Sequence, residues 1–152
     1  MANMKNKDAK RGAFKRRPTK FLDLVTADHI ITRHPRMIGQ SGEECAFVIL
    51  DVFSGLIFAY PAITKDSTEV EDSLAHFSGR RHIETLYTDG ALEIAKAAKD
   101  LSVNHETSLP GRPSNNSLAE RTNQTVVGGT TATLIAAGLP RAFGAMLCLA
   151  SV

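Results

Sequence analysis

Of the sixteen acidic residues in this 152-residue chain, three stand where a carboxylate can do chemistry rather than simply face water. Asp28 interrupts an apolar, β-branched run (FLDLVTADHII), Asp89 ends another (HIETLYTD), and Glu120 falls in the first turn of a long predicted helix. In a mixed α/β sheet, ligand sites gather at strand ends and the starts of adjoining helices. If the strands holding Asp28 and Asp89 are neighbours, the two aspartates meet side by side and the helix can bring Glu120 to them. Three clustered carboxylates repel and raise one another's pKa, a conflict that a divalent cation relieves. Hard oxygen ligands select Mg²⁺ or Mn²⁺ over zinc. Two such ions can activate an attacking oxygen and stabilise the leaving oxygen of a phosphodiester.

Each position also has a purely structural reading. Asp23 lies in the same apolar run as Asp28 and competes with it for the role of inward acid. An Asp before Gly, as in Asp89-Gly90, is a common turn residue. Glu120 completes a Ser-x-x-Glu capping box with Ser117. Asp51 also interrupts an apolar run, and its place beside Ser54-Gly55 marks it as a structural acid at a strand end.

The elements that must position these groups follow from the pattern of apolar residues. FLDLVTADHII reads as a first strand. CAFVILDVF, almost continuously apolar, reads as a central strand covered on both faces. Ser54-Gly55 then joins it to LIFAYPAI, which predicts a hairpin with a two-residue link. From Asp66 the period becomes helical, with Val70, Leu74 and Phe77 on one face, Asp66-x-x-Glu69 at the start and Gly79 as the stop. A fourth strand ends at Asp89, a short helix runs from Leu92 to Leu101, and a fifth strand covers 103–107. After a proline-containing loop, a helix runs from Ser117 toward Gly138-Leu139-Pro140, although Gly128-Gly129 weakens its middle by about 1 kcal/mol per glycine. A further helix begins at Arg141. The expected fold class is α/β: a mixed five-stranded sheet with helices on both faces, C-terminally truncated.

Bulk properties set the frame. The length and the 43% hydrophobic content suit one core domain, residues 21–152, preceded by a basic tail or linker, residues 1–20. That tail holds eight Lys and Arg against Asp8 alone, whereas the remaining 132 residues hold 10 basic and 15 acidic side chains. A basic tail on an acidic globule is a layout for nucleic-acid contact or nuclear import, and KRGAFKRRPTK suggests a nuclear location after cytoplasmic synthesis. Cys45 and Cys148 lie in apolar runs and read as buried thiols of a reducing compartment. No secretory signal or membrane span is expected, because the longest apolar run is far shorter than the roughly 20 residues a bilayer requires.

The segment HETSLPGRPSNNSLAERTNQTV resembles the integrase signature of Copia-type retrotransposons. Its elements fall on Pro110, Pro113, Asn115-Asn116, Ser117 and Ala119-Glu120-Arg121-x-Asn123. AFVILDVFSGLIFAYP and YTDGALE resemble other segments of the same RNase H-like catalytic core, and AAGLP matches the end of its long helix. The resemblance covers residues 24–149 and implies that Asp28, Asp89 and Glu120 are the catalytic, metal-binding triad. It implies a two-ion Mg²⁺ or Mn²⁺ site, DNA 3′-end processing and strand transfer, and partners comprising element ends, target DNA and further copies of the chain. Arg112, Asn116 and Arg121 become the expected DNA contacts. The sequence departs from the pattern at Gly90, where the family has Asn. It also departs in the long helix, which after Arg121 holds no Lys or Arg until Arg141. Two other readings keep the fold: a catalytically degenerate remnant acting as a nucleic-acid- or protein-binding module, and another nuclease or resolvase.

Overall fold

Cys45–Asp51 forms the middle strand of an antiparallel meander, and its alternate side chains are buried on both faces, as its unbroken apolar character requires. The computed structural model describes residues 17–31, 38–108 and 117–144. The strands are β1 (Val25–Ile31), β2 (Cys45–Asp51), β3 (Ile57–Ala62), β4 (Thr85–Thr88) and β5 (Asn104–Thr107), in the spatial order β3-β2-β1-β4-β5. The first three pair antiparallel, and β4 then runs parallel to both β1 and β5. The helices are α1 (Ser67–Ser78), α2 (Leu92–Asp100) and α3 (Ser117–Ala137), followed by one 3-10 turn over Arg141–Phe143.

Side-chain alternation along β1 divides the molecule into two layers. Val25 and Ala27 point into the main core, where Phe47, Ile49 and Leu86 meet Val70, Leu74 and Phe77 of α1 and Ile94, Ala97 and Ala98 of α2. Thr26 and Asp28 point the other way, toward Ala119, Thr122 and Asn123 of α3. Helix α1 begins and ends where the sequence indicates. Asp66 is its N-cap and accepts from the Thr68 amide, and Gly79 closes it in the left-handed region. Helix α3 runs through Gly128-Gly129 without interruption.

Two local expectations are corrected. The first strand does not begin at Phe21, because residues 21–24 form a turn in which Leu22 takes a positive φ of 65°. Asp23 is buried there and accepts from the Thr19 amide at 2.7 Å, so it is a turn-forming acid. The β2–β3 connection spans residues 52–56 rather than two residues. Its cause is Asp51, which is fully buried and accepts from the Leu22 amide, the Ser54 amide and the Ser54 hydroxyl. Those bonds turn the chain early, while the Val52 amide leaves the hairpin to donate to the Leu24 carbonyl at 3.0 Å. Asp51 is thus a structural pin, as its position beside the turn suggests. Among the described residues, no helix is long and apolar enough to cross a membrane.

Candidate metal centre

The β1–β4 pairing decides what Asp28 and Asp89 can share. Thr26 lies opposite Tyr87 in parallel register, so Asp28, two residues further along β1, and Asp89, just past the end of β4, lie toward the same end of the strand pair, and the charge of Asp89 acts on Asp28. Asp28 is half-buried and its carboxyl pKa is raised. Burial is the largest cause, and the charges of Asp89 and Glu120 push in the same direction. Two hydrogen bonds oppose the rise: the His29 amide donates to Oδ1 at 2.8 Å, and Asn123 Nδ2 donates to Oδ2 at 2.9 Å. The three acids therefore occupy one electrostatic field. Asp89 and Glu120 are themselves exposed.

Asp89 lies in a turn fixed from several sides. Its Oδ1 accepts from the Ala91 amide at 3.2 Å, beside the start of α2. Gly90 has φ +87°, and a Cβ there would lie 3.4 Å from the Thr107 methyl carbon of β5. Left-handed backbone admits Gly most easily and Asn next, which accounts physically for a glycine at the position where the resembling family carries asparagine.

Glu120 is delivered by α3. Ala119 and Thr122 are buried against β1 and β2, and Asn123, one turn after Glu120, makes the direct bond to Asp28. Asn123 Oδ1 is a buried side-chain oxygen without a hydrogen-bond partner among the described residues. Reasoning from sequence placed Asn123 in the motif but gave it no role. The signal was its i, i+3 spacing from Glu120, which puts both on one helical face. A second missed group lies behind Asp28, where His29 Nδ1 and Lys65 Nζ approach Glu93 Oε1 at 3.8 and 3.7 Å. The His29 pKa is lowered, chiefly by burial, and its ring packs against Phe47.

Arg121 is exposed and turns back on its own helix, donating from Nε to the Ser117 carbonyl at 3.0 Å. Arg112 and Asn116 lie outside the described residues. Among the described residues, no three His, Cys, Asp or Glu side chains stand close enough together to enclose an ion. The acids fit Mg²⁺ or Mn²⁺ by donor type and by their uncompensated charge, which Asp28 registers. Beside them, a shallow groove lined by Ile30, Asn123, Gln124, Val127 and Gly128 contains no charged side chain.

No family model matches the sequence, and no curated protein matches it. Solved structures do. A chain of the simian T-cell lymphotropic virus intasome, determined in complex with the PP2A regulatory subunit B56 gamma, is similar with a TM-score of 0.69 at 22% sequence identity. The match covers 91% of this chain but only 50% of that one, so the present chain spans about half its length. The catalytic core domain of BIV integrase is similar with a TM-score of 0.57 at 18% identity, covering 84% of this chain and 81% of that one. At such identities the likeness is one of fold, and the fold is that of an integrase catalytic core: a mixed five-stranded sheet flanked by helices.

Proposed function

We propose that this chain is the catalytic core of a retroelement integrase of Copia type, processing and joining DNA 3′ ends with divalent metal held by Asp28, Asp89 and Glu120. The observation that carries the reading is the half-buried Asp28, raised in pKa beside two other acids and held by Asn123 of the Ala-Glu-Arg-x-Asn segment. A bound pair of Mg²⁺ or Mn²⁺ ions would supply charge neutralisation and activation of the attacking oxygen. The chain's own residues do the rest. Asn123 and the His29 amide orient the Asp28 carboxylate, the turn after β4 carries Asp89, and α3 carries Glu120, whose charges both act on Asp28. Arg112, Asn116 and Arg121 contact DNA around that centre, the chain acts as a multimer on element ends and target DNA, and its working compartment is the nucleus.

A second reading, the non-catalytic binding module, is favoured by one observation. Among the described residues, Asp28, Asp89 and Glu120 share a field without gathering closely enough to enclose an ion. Mn²⁺-dependent nicking and joining of short duplexes, comparing the chain with Glu120→Gln, decides between them. The enzyme reading expects metal-dependent products that fall about a hundredfold or more in the variant. Two folded proteins without products would leave the binding module.

A further inference from the structure

The residue before Asp89, Thr88, is almost fully buried, with a relative exposure of 1%. Its hydroxyl oxygen accepts from the Gly90 amide at 3.2 Å, across the turn that carries Asp89. The same oxygen lies 2.8 Å from His105 Nε2, which projects from the neighbouring strand β5. The Thr88 carbonyl in turn accepts from the Ser108 amide just beyond β5. A hydroxyl has one proton to give. With the Gly90 N–H already donated to Thr88 Oγ1, the arrangement that satisfies every group has Thr88 donating to an unprotonated His105 Nε2. Burial holds the His105 pKa below its ordinary value, which agrees with a neutral ring.

We propose that His105 is a positioning residue for Asp89, acting through the Thr88 hydroxyl to lock the turn in which that carboxylate sits. The proposal rests on the reading of Asp89 as a metal ligand. Its logic is that of an outer-shell partner: a ligand carboxylate on an exposed turn is only as well placed as the backbone beneath it. β4 ends at Thr88, so ladder pairing no longer holds Asp89. The imidazole fixes the hydroxyl, the hydroxyl fixes the Gly90 amide, and the residue between them is Asp89.

The test compares His105→Leu, His105→Gln, Thr88→Val and Thr88→Ser in the full chain. The Mn²⁺ concentration that gives half-maximal thermal stabilisation should rise about tenfold for His105→Leu and Thr88→Val. Gln can accept from Thr88 at a similar reach, and Ser keeps the hydroxyl, so His105→Gln and Thr88→Ser should stay near the original value. The double variant Thr88→Val/His105→Leu should be no worse than either single one, because both break the same link. An unchanged Mn²⁺ dependence in His105→Leu overturns the proposal, as does a His105→Gln that behaves like His105→Leu. If the unaltered chain gains no stability from Mn²⁺, the metal reading itself fails, and nuclear magnetic resonance then decides the positioning role. The Asp89 carboxyl carbon resonance should shift in His105→Leu and return in His105→Gln, with the His105 proton on Nδ1. A fixed Asp89 resonance, or a proton on Nε2, rejects the link.

Discussion

Asp28 ties the acidic centre to the stability of the fold. Its carboxyl is raised in pKa, first by burial and then by Asp89 and Glu120. Between the ordinary carboxylate value and that raised one, the folded state holds a proton that the unfolded chain has lost. The contribution of Asp28 to the stability of the metal-free protein therefore falls as pH rises through this window and is fully present below it. Asp28→Asn should remove this dependence and raise the thermal midpoint at neutral pH in chelator, while leaving it little changed in acid. An Asn at 28 can keep the His29 bond through Oδ1 and, once the Asn123 amide flips, donate to the oxygen that now lacks a partner. Thermal melts from acid to neutral pH measure this, and a variant less stable at every pH would contradict it. The sequence singled out Asp28, Asp89 and the structural Asp51 because each interrupts or ends an apolar run, and Glu120 by its place in the Ala-Glu-Arg-x-Asn segment. It left Asp23 and Asp28 in competition, since a turn closed by Leu22 in the left-handed region has no signature in that apolar run. The links of Asn123 to Asp28 and of His105 to Thr88 were not readable, since each joins residues from different elements.

At the scale of elements, α3 is the segment whose local composition most opposes its structure. Gly128 and Gly129 both lie within the helix, both are exposed, and a Cβ at either would meet nothing within 4 Å. Each Gly→Ala change should therefore stabilise the protein by about 1 kcal/mol through helix propensity and a less mobile unfolded chain. Urea unfolding of Gly128→Ala, Gly129→Ala and the pair checks this, with near-additive gains expected. Element order, the capped ends of α1 and the neighbouring β1 and β4 were foreseeable from periodicity and connection rules. The exact start of β1 and the length of the β2–β3 loop were not. Both are set by the three hydrogen bonds that buried Asp51 accepts, one of them from Leu22, 29 positions earlier.

For the whole molecule, charge is divided along the chain. Residues 1–16 hold six Lys and Arg against Asp8, and the rest of the sequence is net acidic. Phosphate neutralisation dominates nonspecific affinity, so most of the salt dependence of DNA binding should come from those residues. Deleting them should flatten the log–log salt slope by several units, measured by fluorescence anisotropy on a short duplex. An unchanged slope would place the phosphate contacts on the domain instead. The two sides of the sheet are unequal in another respect. Among the described residues, α1 and α2 share the large core, whereas α3 buries only Ala119, Thr122 and Leu134 and contributes none of the main cluster. A helix attached in this way is expected to open at a lower cost than global unfolding. Of the three acids, then, two lie on the strands and turn of the main sheet and one on this helix. Hydrogen exchange should find α3 amides trading with solvent well before those of β1 and β2, so that the complete acidic centre exists only while this one helix is docked.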